Sequence, residues 1–418
     1  MNFFDLVVYN IGELVTMDGA DQPRTGKEMA NIGVLENAAI LVDNGKIVAV
    51  SQDQNTISQW QAKEKIDAMQ SLVTPGFVDP HTHPVFAASR EKEFCMRIRG
   101  VKYEEIAKKG GGIRNSARKL RETPKNTLRD LTRKRLNRFL ALGTTTIEAK
   151  SGYGLSYDSE IASLEVLAEI GQDHALDIVP TFMGAHEIPD EYRSNREEYI
   201  RIVIDKMIPE VARRKLAKYC DVFCETHVFT LEETKRILQA AHEHGLLSKL
   251  HADELSYTGG AELAASLKAT SAEHLVAISD KGIEEMAKEK VIAVLLPATT
   301  FFLGSSRYAP ARKMIDAGVA IALSTDFNPG SSMTQSMPIV LTIAGLYLRM
   351  TPEEALTAST INAACAIGKE KEVGSIVPGK QADFLIWQAS HYEYLPYHFG
   401  DNLLHSVFKK GKIVYQIQ

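Results

Sequence analysis

The stretch "PGFVDPHTHPVFAASR" (75–90) decides how the rest of the chain is read. An apolar run, "SLVTPGFVD" (71–79), leads into two histidines one residue apart. Side chains alternate along a strand, so residues i and i+2 share a face. His81 and His83 are therefore expected to point the same way at a strand end, where two imidazoles can converge on one metal ion. Two hydrogen-bonded loop histidines would read the same locally, so the choice rests on what the remaining strands carry.

Downstream, short apolar runs alternate with amphipathic ones. The apolar runs are "TTTIEAKSG" (144–152), "DIVPTFMGAH" (177–186), "CDVFCE" (220–225), "LLSKLHADE" (246–254), "ATSAEHL" (269–275), "VIAVLLP" (291–297) and "AIALSTDF" (320–327). Stretches such as "LEETKRILQAAHEHG" (231–245) and "SDKGIEEMAKEK" (279–290) have helical spacing and separate them. With 71–79, this makes eight strands alternating with helices, the pattern of a parallel (β/α)8 barrel of the triosephosphate-isomerase type. Both ends of the chain read as β: "AAILVDNGKIVAV" (38–50) folds back at Asn44-Gly45, and "ADFLIW" (382–387) and "HSVFKKGKIVYQI" (405–417) are strands near a Gly turn. A small sheet built from both termini is expected beside the barrel.

In such a barrel the chemistry sits at the C-terminal ends of the strands. The polar residues follow that register. His81 and His83 end the first strand, Lys150 and Tyr153 follow the second, His186 ends the third and Glu225 the fourth. His251, Asp253 and Glu254 end the fifth, His274 the sixth, Pro297 the seventh, and Asp326 with Asn328 the eighth. Core histidines scattered without function would not keep this order.

Composition sets the outer bounds. Of 418 residues, 44% are hydrophobic and 24% charged, as in a soluble globular protein. A net charge of -5 argues against a general nucleic-acid binder, and the basic stretch 118–140 has the spacing of a solvated helix face. The longest apolar run is too short to span a membrane, and the N-terminus shows no signal peptide. Four scattered cysteines do not make a disulfide framework, so a cytoplasmic protein is expected. The "GGGI" run (110–113) lacks the Lys and the strand–helix setting of a phosphate loop, and is read as a lid or a backbone contact to substrate.

The H-x-H after strand one, single histidines after strands five and six, and an Asp after strand eight resemble the amidohydrolase superfamily. "GSIVPGKQADFLIW" (374–387) is similar to the segment by which those enzymes return to a β-sandwich. The resemblance implies a distorted barrel over residues 75–370 and a composite β-sandwich from 1–74 plus 371–418. Within the superfamily, residues 75–94, "GGGI", "EAKSGYGL" (148–155), "GAHEIP" (184–189), "HADEL" (251–255) and "STDFNPGSS" (324–332) resemble the imidazolonepropionase family over nearly the whole chain. The loops "KSGYGL" and "TDFNPGSS" are the specific parts; H-x-H alone fits many activities.

That resemblance implies one Zn²⁺ or Fe ion per subunit, held by His81, His83, His251 and Asp326. Three neutral nitrogens and one carboxylate leave a position for water, as a catalytic site requires. Glu254 would serve as general base and then acid, His274 would orient the water or polarise the carbonyl, and Asp253 is placed to orient His251. No Lys stands in "DVFCETHVF" (221–229) to bridge two metals, and although Glu225 is available there, a single ion is expected. The implied substrate is the small molecule 4-imidazolone-5-propanoate. Arg90 would anchor its carboxylate, Tyr103, Tyr153 and His186 would contact it, and Asn328, Gly330 and Ser331 would meet its polar edge. A homodimer is typical of that family. A ring deaminase of an aminoimidazole or nucleobase is the alternative activity, and an inactive scaffold is the remote one; the scaffold would be expected to lose ligands that this chain keeps.

Overall fold

The computed structural model describes residues 3–101 and 111–417. Tyr103 and Gly110 lie outside them. Eight strands, β6 (Phe77–Asp79), β7 (Thr144–Lys150), β8 (Asp177–Ala185), β9 (Tyr219–Cys224), β10 (Leu247–Ala252), β11 (Ser271–His274), β12 (Ile292–Leu295) and β13 (Ile321–Leu323), pair in parallel and in chain order. Helices intervene, among them Tyr157–Ile170, Leu231–Glu243, Gly260–Ser266 and Asp280–Glu289. This is the expected barrel.

The other strands form one mixed sheet from both ends of the chain. They are β1 (Phe4–Val15), β2 (Val34–Asp43), β3 (Lys46–Ser51), β4 (Ala62–Asp67), β5 (Leu72–Pro75), β14 (Phe384–Trp387), β15 (Leu404–Lys409) and β16 (Lys412–Gln416). The order is β16-β15-β14-β5-β1-β2-β3, with β4 also on β1. Asn44 and Gly45 both take positive φ, 50° and 74°, which is the turn the β2–β3 hairpin needs. Ile40, Val42, Val73, Phe384 and Phe408 are buried in this sheet's own core, separate from the barrel's larger one.

A single residue, Gly76, carries the chain from the sheet to the barrel between β5 and β6. A Cβ there would lie 2.3 Å from Thr145 Oγ1, so β6 can reach β7 only because the side chain is missing. The strand then stops at Asp79, two residues earlier than the H-x-H alternation implies. Pro80 has no N–H to continue a ladder. His81 and His83 thus stand on the irregular segment after the strand.

The barrel closes across β6 and β13 chiefly through the Asp79 side chain, with one backbone bond beyond the strands. Asp79 accepts hydrogen bonds from Thr325 Oγ1 (2.6 Å), Thr325 N (3.3 Å) and Ser324 Oγ, and His83 N donates to Phe327 O at 2.9 Å. The first and last strands of the barrel, and the segments that follow each, are held together at this seam.

Candidate metal centre and active site

At the C-terminal mouth of the barrel His81, His83 and His251 form one cluster, and His81, His274 and Asp326 form another that shares His81, all at least 96% buried. The Nε2 atoms of His81 and His83 face each other at 3.2 Å, and Asp326 Oδ1 lies 3.4 Å and 3.6 Å from them. One ligand atom each from His81, His83 and His251 fall within 4.8 Å of one another. Asp326 turns inward from a left-handed residue (φ 49°), and Thr299 Oγ1 donates to its second oxygen at 2.6 Å.

On two of the three rings the opposite nitrogen meets a carboxylate, while His83 Nδ1 has no hydrogen-bond partner among the described residues. Asp221 Oδ1 lies 3.1 Å from His251 Nδ1, and the Glu273 carboxylate meets His81 Nδ1. Carboxylates on Nδ1 place the proton there and leave the Nε2 lone pair for a cation. The Nε2 atoms of His81 and His83 approach each other at 3.2 Å, and a cation bound between the rings would take both lone pairs in place of a shared proton. The donor set, three imidazoles and one carboxylate, fits Zn²⁺ or Fe.

Below the cluster lies a second, fully buried layer. Lys150 Nζ is 2.7 Å from Glu148, 2.8 Å from Asp221 and 3.2 Å from Glu273, and Lys249 Nζ is 2.9 Å from Glu273. These residues project inward from β7, β9, β10 and β11 because the strands alternate. Glu148 and Lys150 flank Ala149, while Lys249 and His251 flank Leu250, and both apolar residues join the large core.

Glu254 and His274 stand side by side at the edge of the cluster. Glu254 Oε2 is 3.6 Å from His274 Nε2. Burial, with Asp326 nearby, pushes the Glu254 carboxyl up to about 8. Burial holds the His274 and His186 rings down, to about 3 each, so both are neutral at physiological pH. Burial and the surrounding imidazoles also hold His83 well below its usual range. On His81 burial opposes charge, but the Glu273 carboxylate outweighs it and pushes the ring up to about 9.

The loop carrying Glu254 is clamped from two sides. Asp253 does not face His251 as expected. It takes a left-handed backbone (φ 51°), and its carboxylate accepts from the amides of Thr258, Gly259, Gly260 and Ala261 at 2.7–3.3 Å. Those amides open a helix and lack helical partners, which makes them the stronger attraction. Orientation of His251 falls to Asp221 instead. Glu225 accepts from Leu255 N at 3.0 Å and Ser256 N at 3.2 Å, so its carboxylate is engaged in the same loop.

The surrounding loops complete the site. Tyr153 and His186 pack beside His83: the His83 and His186 rings stack with centroids 5.2 Å apart, and Tyr153 meets both edge-on. His186 Nδ1 donates to Gly152 O at 2.9 Å, leaving Nε2 as an acceptor. Gly152 has φ 111°, and a Cβ there would lie 3.0 Å from His186 Nδ1, so the "KSGYGL" loop needs glycine at this point. The loop is wrapped around one buried carboxylate. Glu160 accepts from the amides of Gly152, Gly154 and Leu155 at 2.7–2.8 Å.

Arg90 lies against Gly330, which brings it to the "NPGSS" loop. Its Nε and Nη2 are bonded to Glu93 at 2.8 Å and 2.7 Å. The Asn328 carboxamide is spent on its own turn: Oδ1 accepts from Gly330 N and Ser331 N at 2.8 Å, and Nδ2 donates to Asp326 O at 2.7 Å. Asn328 therefore shapes the loop that presents Gly330, Ser331 and Asp326. The sequence reading passed over Asp221, Glu273, Glu148, Lys249 and Glu160. The signal available for the first four was a charged residue inside an otherwise apolar strand.

Among the described residues, no helix is long and apolar enough to cross a membrane. Residues 72–414 match the family model described as "Amidohydrolase family". An imidazolonepropionase of Clostridium tetani is 47% identical over 414 residues, covering 99% of this chain and 98% of that one. One from Geobacillus kaustophilus is 48% identical, covering 98% and 97%. Among solved structures, guanine deaminase of E. coli superposes with a TM-score of 0.74 at 16% identity, covering 99% of both chains, which speaks for a shared fold. With the family model covering the whole barrel and the later strands of the terminal sheet, and nearly half of all positions identical end to end, the chain belongs to the amidohydrolase family, among the imidazolonepropionases.

Proposed function

We propose that the chain hydrolyses the ring C–N bond of 4-imidazolone-5-propanoate, taking up one water and releasing N-formimino-L-glutamate. The observation that carries this reading is the clustering of His81, His83 and His251, with Asp326 Oδ1 against the Nε2 atoms of the first two, beside the Glu254–His274 pair. These four residues would hold one Zn²⁺ or Fe ion per subunit. Bound there, such an ion supplies Lewis acidity, lowering the pKa of a water from 15.7 toward about 7 and polarising a carbonyl.

The chain's own groups supply the rest. Glu254, in its ionised form, takes the proton from the attacking water and then gives it to the departing ring nitrogen; a carboxyl pushed up to about 8 favours the second, acid half of that exchange. His274, neutral in its buried setting, orients toward the carbonyl oxygen and helps hold the charge that develops there. Asp326 combines the role of ligand with that of a negative charge beside Glu254, favouring the protonated form of that carboxyl. The Arg90 guanidinium offers a fork for the propanoate carboxylate, exchanging part of its contact with Glu93 for it. Tyr153 and His186 form an aromatic wall for the ring, and Gly330 and Ser331 border it, held by Asn328. Tyr103 is a further contact on the strength of the family resemblance. The same reading has the enzyme acting as a cytoplasmic homodimer.

The direct test is to give freshly generated imidazolone propanoate to the purified protein, with and without chelator, and follow the product by mass. Chelator-sensitive formation of the ring-opened product is the expected result. Turnover of an aminoimidazole or nucleobase with release of ammonia, and none of the imidazolone, would replace this reading with a deaminase.

A further inference from the structure

The layer beneath the metal centre holds two lysines and three carboxylates at 0% exposure, a costly thing to bury. Its arrangement is directed. Lys150 has three ammonium donors, and three carboxylates meet it: Glu148 at 2.7 Å, Asp221 at 2.8 Å and Glu273 at 3.2 Å. Two of those carboxylates continue to the Nδ1 atoms of His251 and His81. Glu273 has other support, from Lys249 Nζ at 2.9 Å and Ser271 Oγ at 3.0 Å. Asp221 has less: its Oδ1 is met by the amide and the ring of His251 itself, at 3.2 Å and 3.1 Å, and among the described residues Lys150 is the lysine paired with its other oxygen.

We propose that Lys150 is a positioning residue for the metal centre, tying Asp221 and Glu273 together so that His251 and His81 present Nε2 to one point. The proposal rests on the reading that these histidines hold a cation. Lys150 itself touches no ligand side chain; it acts through the carboxylates. Its removal leaves Lys249 alone against three buried carboxylates, which then repel one another and let the rings they hold swing away. His251, steered by Asp221, loses most. Glu148 contacts Lys150 and the Thr82 backbone but no histidine, so a charge can be taken from the layer there without touching a ligand's partner.

The test measures cation binding rather than turnover. Zn²⁺ is titrated into metal-stripped wild type, Lys150→Met and Lys150→Met/Glu148→Gln in competition with a chromophoric chelator, with folding checked by near-ultraviolet circular dichroism. The second variant leaves one lysine against two carboxylates and guards against a single variant too charged to fold. Wild type is expected to bind one Zn²⁺, and each folded variant to bind it about 10- to 100-fold more weakly, the usual cost of losing an outer-shell partner. A folded variant that melts earlier but binds Zn²⁺ within about threefold of wild type overturns the proposal, because Lys150 would then support only the fold. Wild type that binds no Zn²⁺ overturns the metal reading itself, and this proposal with it.

Discussion

Glu254 Oε2 stands 3.6 Å from His274 Nε2, and neither residue shares its element with the other: one follows β10, the other ends β11. Both are fixed by backbone devices. Asp253 and His274 take left-handed φ of 51° and 72°, which turn the chain sharply at the strand ends and aim the two side chains at the same space.

A proton carrier at that position gives the first prediction. Glu254→Gln keeps the shape and removes the proton acceptor, so kcat should fall about 10²- to 10⁴-fold. KM and Zn²⁺ content should stay near wild type. Steady-state kinetics with metal analysis on the same sample checks this, and a variant retaining most of its kcat would remove Glu254 from the proton path.

The second concerns the tail of the substrate. Arg90→Ala should raise KM about 10- to 100-fold, as expected for a lost hydrogen-bonded contact to a charged group. The kcat should change less, since the carboxylate is remote from the bond that breaks. An imidazolone lacking the propanoate should be processed equally by wild type and variant; a difference between them would argue that Arg90 serves the loop instead.

Removing the cation is the third. Dialysis against a chelator should abolish turnover, and Zn²⁺ should restore it. The ion should also raise the melting temperature progressively, because binding only the folded state stabilises it by about 2.7 kcal/mol at 100 times Kd. A melting curve indifferent to Zn²⁺ would contradict a site built on four buried ligands.

Glu160 supplies the fourth. In Glu160→Gln one oxygen still accepts from Gly154 and Leu155, but the new NH₂ faces the Gly152 amide, donor against donor. Burial leaves that amide no water to turn to, so the loss should be about 1–3 kcal/mol of stability. Calorimetry should show a lower melting temperature, and KM should rise, because the loop so loosened carries Tyr153 and supports His186.

Much of this was legible in the residues. The alternation of apolar and amphipathic runs announced the barrel, and histidines at the ends of the first, third, fifth and sixth strands announced the cluster. What escaped was lateral. Asp221 and Lys249 sit inside strands, where a charged residue reads as noise in an apolar run, and their partners lie on neighbouring strands about 30 residues away. Sequence spacing cannot rank such cross-strand meetings. Asp253 was misread for a local reason: proximity in the chain to His251 suggested service to the ring, whereas four helix-opening amides offered the carboxylate more. In the same way the H-x-H pair reached convergence by a route the alternation did not foresee, since Pro80 ended the strand before either histidine.

The bonds joining Asp79 to Ser324 and Thr325 bring together residues about 245 positions apart in the chain. His81 and His83 are made early on the ribosome and Asp326 late, and they meet only where this junction shuts. A nascent or truncated polypeptide that lacks its final barrel strand therefore has imidazoles but no complete ligand set. If these residues hold the cation as proposed, competence for chemistry would wait on the docking of that last strand.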